Sequence, residues 1–253
     1  SQTVKKYVLE AERVQIWRAM SELRYIFRHT LLREAVYEMQ LVSQLQMLHR
    51  HIADSIEKIY ASSLSERFID LAFHYERASD TVKSHFYLKK AAAFASENYQ
   101  NQTALDLYDR ILKLELSKTQ TIKTLLHKGE VLRLVGSWFE AENCFIQALA
   151  LSQKNDFEVL QSRAHNLIGA LYLLMGDYNR ASESLIIASA TFEKNNDTQG
   201  IVKNYGFLGS LHFRQGNYLQ AETYYLRCQR INEVEKWKNS PQNIANLGLT
   251  YMN

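Results

Sequence analysis

The sequence predicts an all-α fold, a solenoid of antiparallel helix pairs, preceded by a small N-terminal segment that contains a β-hairpin. Three observations carry this expectation. The stretch from Gly129 to Cys228 repeats with one step: 169 − 129 = 209 − 169 = 40 for Gly129, Gly169 and Gly209, and the same step relates Gly136, Gly176 and Gly216. A period in this range marks units that bury their apolar faces against their neighbours. The 253-residue chain is 46% hydrophobic and has one proline, Pro241, which favours long uninterrupted helices. All nine glycines lie at or beyond residue 129, so the front half follows different rules from the repeats.

From the N-terminus, residues 1–12 read as a short helix. VQIW (14–17) and ELRYIF (22–27) alternate apolar positions in the manner of paired strands, with Arg18–Ser21 as the connection. Thr30 is placed to cap a helix carrying Leu31, Leu32, Ala35 and Val36. A second helix from about Ser43 sets Leu45, Leu48, Ile52 and Ile56 on one face. Ser63 with Glu66 fits a capping box, opening a helix with Phe68, Leu71, Ala72 and Tyr75. After a Ser79–Asp80 turn a long helix runs to Ala95, and another follows Asn101. Ala92, Ala104, Tyr108 and Ile111 fit a degenerate repeat.

Within each regular unit a small residue (Gly129, Gly169, Gly209) faces a second one (Ala141, Ala181, Ala221) across a turn. An aromatic (Trp138, Tyr178, Tyr218) sits beside the crossing. A large side chain (Phe145, Leu185, Tyr225) and a small one (Ala148, Ala188, Cys228) complete the pattern. Gly136, Gly176 and Gly216 supply the left-handed residue that ends a helix. Ser137, Asp177 and Asn217 follow as N-caps, Ser137 with Glu140 as a capping box. The final NLGLTYMN places Gly248 and Tyr251 where a fourth first helix begins, which reads as a truncated unit.

This small, small, aromatic, small, large, small signature resembles the tetratricopeptide repeat over roughly residues 119–253, with a step of 40 in place of the 34 usual in that family. The resemblance implies a right-handed solenoid whose inner face, lined by the first helix of each unit, binds a protein or peptide. A second resemblance covers about residues 12–100. Tyr25, Phe27 and His29, then Leu32 with Val36 and Tyr37, then Leu48-His49 and Ile52-Ala53, are similar to the winged-helix tail of signalling ATPases related to soluble adenylyl cyclase. The two resemblances together imply three segments: 1–62 as that tail, 63–118 as an irregular helical adaptor or degenerate repeat, and 119–253 as the repeats. The second also gives His29 the role of nucleotide sensor in a longer protein, against the plainer role of a histidine hydrogen-bonded at a strand end.

The chemistry expected of the chain is modest. No glycine is followed by Lys-Ser or Lys-Thr, so no phosphate loop is present. His49 and His51 point to different sides of a helix and cannot chelate one metal, and the remaining histidines are scattered. Catalysis, cofactor and metal are therefore not expected. The formal charge of +3 is too small to imply nucleic acid, and no apolar run is long enough to span a membrane. Cys144 and Cys228 have no metal spacing, which suits a reduced, cytoplasmic setting.

Carrying the tetratricopeptide groove positions over residue by residue gives Lys123, Glu130, Arg133, Arg163, Asn166, Lys203 and Arg214, of which five are basic. Such a face favours an acidic or carboxylate-bearing partner, with Leu126, Leu134, Leu173 and Phe213 adding apolar contact. The expected function is a protein-binding scaffold in a larger cytoplasmic signalling protein, docking a partner or its own upstream ATPase or cyclase module. Two alternatives stay open: the back part of a nucleotide-dependent enzyme, and a purely structural component of a large assembly.

Overall fold

In the computed structural model, residues 37–237 are described continuously, together with 6–7, 10, 13–14, 17–21, 24–27 and 34–35. Contacts divide the chain into two compact units, residues 1–87 and 88–253.

In the first unit, β1 (Trp17–Ser21) pairs antiparallel with β2 (Arg24–Phe27), Trp17 opposite Phe27 and Ser21 opposite Arg24. The connection expected at Arg18–Ser21 is itself strand. Pairing Ser21 with Arg24 leaves two residues between the strands where the sequence reading allotted four. Helix α1 (Val42–Ile59) follows, then a 3-10 turn (Leu64–Arg67) and α2 (Phe68–Arg77). Thr30, His29 and the helix start expected there lie outside the described residues. The expected winged helix is not supported: the described residues of 1–62 comprise a two-stranded ladder, scattered helical residues at 6–7, 10, 13, 34–35 and 37–38, and one long helix.

Helix α1 buries His49 and Ala53 most deeply, while Leu48, placed on the apolar face by the sequence reading, is exposed. Leu48 and His49 are consecutive, and one step along a helix turns the side chain by about 100°. Ser63 makes no side-chain cap, so the capping box with Glu66 does not form. Polar groups tie the unit instead. Tyr75 Oη donates to Asp54 at 2.9 Å, Lys83 Nζ reaches Glu57 at 3.0 Å, and Tyr87 Oη donates to Glu57 at 2.6 Å.

His49 and His74 face each other, Nδ1 to Nδ1 at 2.8 Å, and Tyr37 Oη meets His49 Nε2 at 2.9 Å. One imidazole must donate and the other accept, so the contact requires a neutral ring. Burial first, then the charges of His74 and Arg77, hold His49 below its ordinary 6.5; burial lowers His74, with Asp70 opposing. A depressed folded value means that the unfolded chain binds more protons below about pH 6.5. The unit should therefore lose stability as pH falls through that range and keep it above. Urea midpoints at pH 7.5 and 5.0 check this. The drop should shrink in His74→Gln; an equal drop in both proteins contradicts it.

The second unit follows the repeat. Helix α3 (Thr81–Glu97) crosses the division between the units, and α4 (Asn101–Leu112) buries Ala104, Tyr108 and Ile111 as the degenerate repeat requires. Three regular pairs follow: α5 (Lys118–Leu134) with α6 (Trp138–Lys154), α7 (Glu158–Met175) with α8 (Tyr178–Lys194), and α9 (Thr198–Arg214) with α10 (Tyr218–Glu235). Phe145, Leu185 and Ala141 are fully buried, and Tyr225 and Cys228 nearly so. The small first-helix glycines are where the large side chains seat. A Cβ on Gly209 would lie 2.5 Å from the Tyr225 ring. Trp138 departs from this plan, with 41% of its surface exposed, whereas Tyr178 packs on the Leu185 cluster.

Gly136, Gly176 and Gly216 adopt φ of +84°, +81° and +79°, and the next residue's N–H donates back to Leu132, Tyr172 and His212 carbonyls, closing each first helix. Of the three expected N-caps only Asp177 acts, accepting from Arg180 N at 3.1 Å; Ser137 and Asn217 make no side-chain cap, and the Ser137–Glu140 box is absent. Ser117 instead forms a full capping box with Gln120, and Asp197 caps α9 through Gly200 N at 3.0 Å. The turns between pairs carry a signal the sequence reading missed. Asp156, Asn196 and Lys236 all sit at positive φ, and 196 − 156 = 236 − 196 = 40. Asp and Asn tolerate that conformation better than other non-glycine residues.

Candidate functional site

First helices α5, α7 and α9 each supply residues to one groove, while their small residues Gly129, Gly169 and Gly209 seat the large side chains of their own second helices. Lys123, His127 and Glu130 lie four and three residues apart on α5, and Gln199, Lys203 and Phe207 are four apart on α9, each set forming one helical stripe. With Arg163 and Asn166 of α7 these stripes enclose a cavity of about 420 Å³. Its floor is apolar: Leu126, Leu160, Leu167 and Phe207, with Phe192 reaching in from the end of α8. A second cavity of about 640 Å³ shares Lys123, His127, Glu130 and Lys203 and extends to Lys89 and Glu97 of α3 and Tyr108 of α4.

Of the residues the sequence singled out, Lys123, Glu130, Arg163, Asn166 and Lys203 come together. Arg133 and Arg214 do not line either cavity. Arg133 is ten residues past Lys123, about 15 Å along the axis and rotated by about 80° from its face. Arg214 shares the direction of Lys203 but lies eleven residues, about 16 Å, further along α9. Of the expected apolar contributors, Leu126 lines the groove, whereas Leu134 is exposed and Leu173 is buried in the core. His127, Gln199 and Phe207 were missed, although their four-residue spacing from Lys123 and Lys203 was readable. Phe192 comes from an outer helix and left no such sign.

The charges are unevenly free. Arg163 Nη2 pairs with Asp197 Oδ2 at 3.2 Å, while among the described residues Lys123 and Lys203 form no salt bridge. Glu130 is the groove's acidic member, 3.5 Å from His127 Nδ1. Burial works against its ionisation, yet the hydrogen bond and charge of His127, with Lys203 and Arg133, hold its carboxyl below the ordinary value. Burial, aided by Glu130 and Glu97, pushes the Tyr108 phenol up to about 12, and its ring stacks over His127 at 6.3 Å. The surface thus offers two lysines free of salt bridges over an apolar floor, with one partly neutralised arginine beside them.

Among the described residues no group of three or more His, Cys, Asp or Glu is placed to hold a metal, and no helix is long and apolar enough to cross a membrane. Cys144 and Cys228 are buried free thiols.

Comparisons with known proteins agree with this architecture. Tetratricopeptide-repeat family models match residues 120–194 and 202–235. A Rap protein complexed with Competence and Sporulation Factor is similar in fold, with a TM-score of 0.64, 15% identity, and coverage of 87% of this chain and 64% of that one. The apo form of RapI gives 0.62, 20% identity, 87% and 63%. BtubC from P. vanneervenii gives 0.54, 15% identity, and 84% of both chains. This chain thus spans under two thirds of either Rap protein. No curated protein sequence matches it.

Proposed function

We propose, from the premise that this chain carries tetratricopeptide repeats over 120–194 and 202–235, that it is a non-enzymatic protein-binding scaffold whose inner face takes an acidic peptide. The observation that carries the reading is the pairing of Lys123 and Lys203, on helices two repeats apart, around one apolar-floored cavity. Two ammonium groups converging on one space attract carboxylates, and the floor of Leu126, Leu160 and Phe207 gives apolar side chains between them a place to bury. Arg163 adds a planar donor once Asp197 shares it. A fold neighbour described as a Rap protein complexed with Competence and Sporulation Factor supports a binding use of the fold. The setting is a reduced cytoplasm, consistent with two free buried thiols. The partner is a separate protein or the catalytic module of a larger signalling protein.

Titration with a fluorescein-labelled pool of Asp/Glu-rich decapeptides tests this. Exposed single ion pairs contribute only about 0–1 kcal/mol. The double change Arg163→Glu with Lys203→Glu adds repulsion, and should weaken binding more than tenfold, above roughly 1.4 kcal/mol. Affinity of the parent chain should also fall with salt, because exposed charges are screened over about 8 Å at physiological ionic strength. Equal affinities for both proteins, or no salt dependence, would sink the basic-groove reading.

A further inference from the structure

Asn204 lies outside the groove, fully buried on α9, and does not line either cavity. Its Nδ2 donates twice: to the main-chain carbonyl of Leu185 at 2.9 Å and to Asn166 Oδ1 at 3.1 Å. The first bond fixes which end of the Asn204 amide is which, because a backbone carbonyl only accepts. The second then fixes Asn166: the atom facing Asn204 Nδ2 must be an oxygen, so the Asn166 nitrogen is turned the other way. Asn166 lines the cavity. Only 4% of its surface is exposed, and with Oδ1 engaged by Asn204 its N–H groups are the polar atoms left for a ligand. Asn204 Oδ1 is sealed and unpaired among the described residues. Leaving a buried acceptor unmet has a cost, and here it accompanies an arrangement that holds a neighbour in one polarity.

We infer that Asn204 is a positioning residue that sets Asn166 as a donor into the groove, so that the groove takes an extended peptide through a free main-chain carbonyl. This rests on the peptide-binding reading above and names the backbone state of the ligand. A helical ligand has its carbonyls paired within the helix and offers nothing to Asn166 except at its last turn. An extended segment leaves alternate carbonyls free. The lysines then select the side chains, and Asn166 selects the backbone.

The test uses the full 15N-labelled chain and the acidic decapeptide pool. In the free protein the Asn204 side-chain amide should exchange with solvent at least tenfold more slowly than that of Asn166. Equal rates would overturn the relay. Asn204→Leu removes the fixing donor, and should weaken binding of the pool by about fivefold or more while leaving the salt dependence unchanged, since no charge is altered. Wild-type affinity in a folded Asn204→Leu chain would reduce Asn204 to a core residue. The exchange measurement needs no variant, so the inference stays refutable if Asn204→Leu fails to fold. A wild-type chain that shows the exchange pattern but ignores the pool would overturn the acidic-groove reading and leave the amide relay standing.

Discussion

Phe145→Ala is expected to cost about 3–5 kcal/mol of stability. The Phe145 ring is fully buried and fills the space that Gly129 leaves on the partner helix, where even a Cβ would collide with it. Around it lie Ile122, Leu126, Ala141 and Leu171, drawn from α5, α6 and α7. Removing the ring leaves a void at the crossing of one pair and at its contact with the next. A glycine has no side chain to relax into that void, so collapse would need the helices themselves to move. Because each repeat is held by its neighbours, the loss should appear as a weakened centre of the solenoid. Urea unfolding followed by circular dichroism reads the effect. A change under about 1 kcal/mol would mean that the crossing is looser than the packing indicates.

Gly169→Leu should destabilise by the opposite route. A Cβ at this position would lie 2.7 Å from Leu185 Cγ and 3.1 Å from the Ala181 carbonyl oxygen. The leucine can shift, but the carbonyl belongs to the α8 backbone and cannot without moving the helix. Overpacking of this kind costs about 1–3 kcal/mol, and more where backbone must move. Gly176, in the same repeat, separates the two roles of glycine. Nothing lies within 4 Å of a Cβ there, but its φ is +81°. Gly176→Ala should therefore cost only the left-handed penalty, about 1–2 kcal/mol. Thermal melts of both variants check the order. A larger loss for Gly176→Ala than for Gly169→Leu would invert the account of the crossing.

These two variants also show why the repeats were legible in the sequence. A small residue opposite a large one is a compositional mark, and three copies at one step make it unmistakable. The glycine turns are marked in the same way, since their backbone excludes most other residues. Caps were less legible: Ser137, Asp177 and Asn217 all follow a helix-closing glycine and have the right chemistry, yet only Asp177 bonds into the next helix. The groove was read by analogy of position, and this erred where axial distance matters. Arg133 and Arg214 carry the right charge but lie past the last groove residue of their helices, about 4.5 Å beyond Glu130 and about 10 Å beyond Phe207. Asn204 was invisible for another reason. Its counterparts in the other repeats are Thr124 and Ala164, so it breaks the pattern instead of following it. The front of the chain has no repeat to average over, and there the first strand was placed three to four residues early, while the second lies within the expected 22–27.

The most direct test of the central claim is hydrogen–deuterium exchange of the full chain with and without the acidic decapeptide pool. The account places the ligand on the first helices. Protection should rise in peptides covering 119–134, 158–175 and 198–214, strongest around Lys123, Asn166 and Lys203, and stay unchanged over the outer helices α6 and α10. Protection confined to the outer helices, or spread evenly over both sets, would contradict a groove on the inner face.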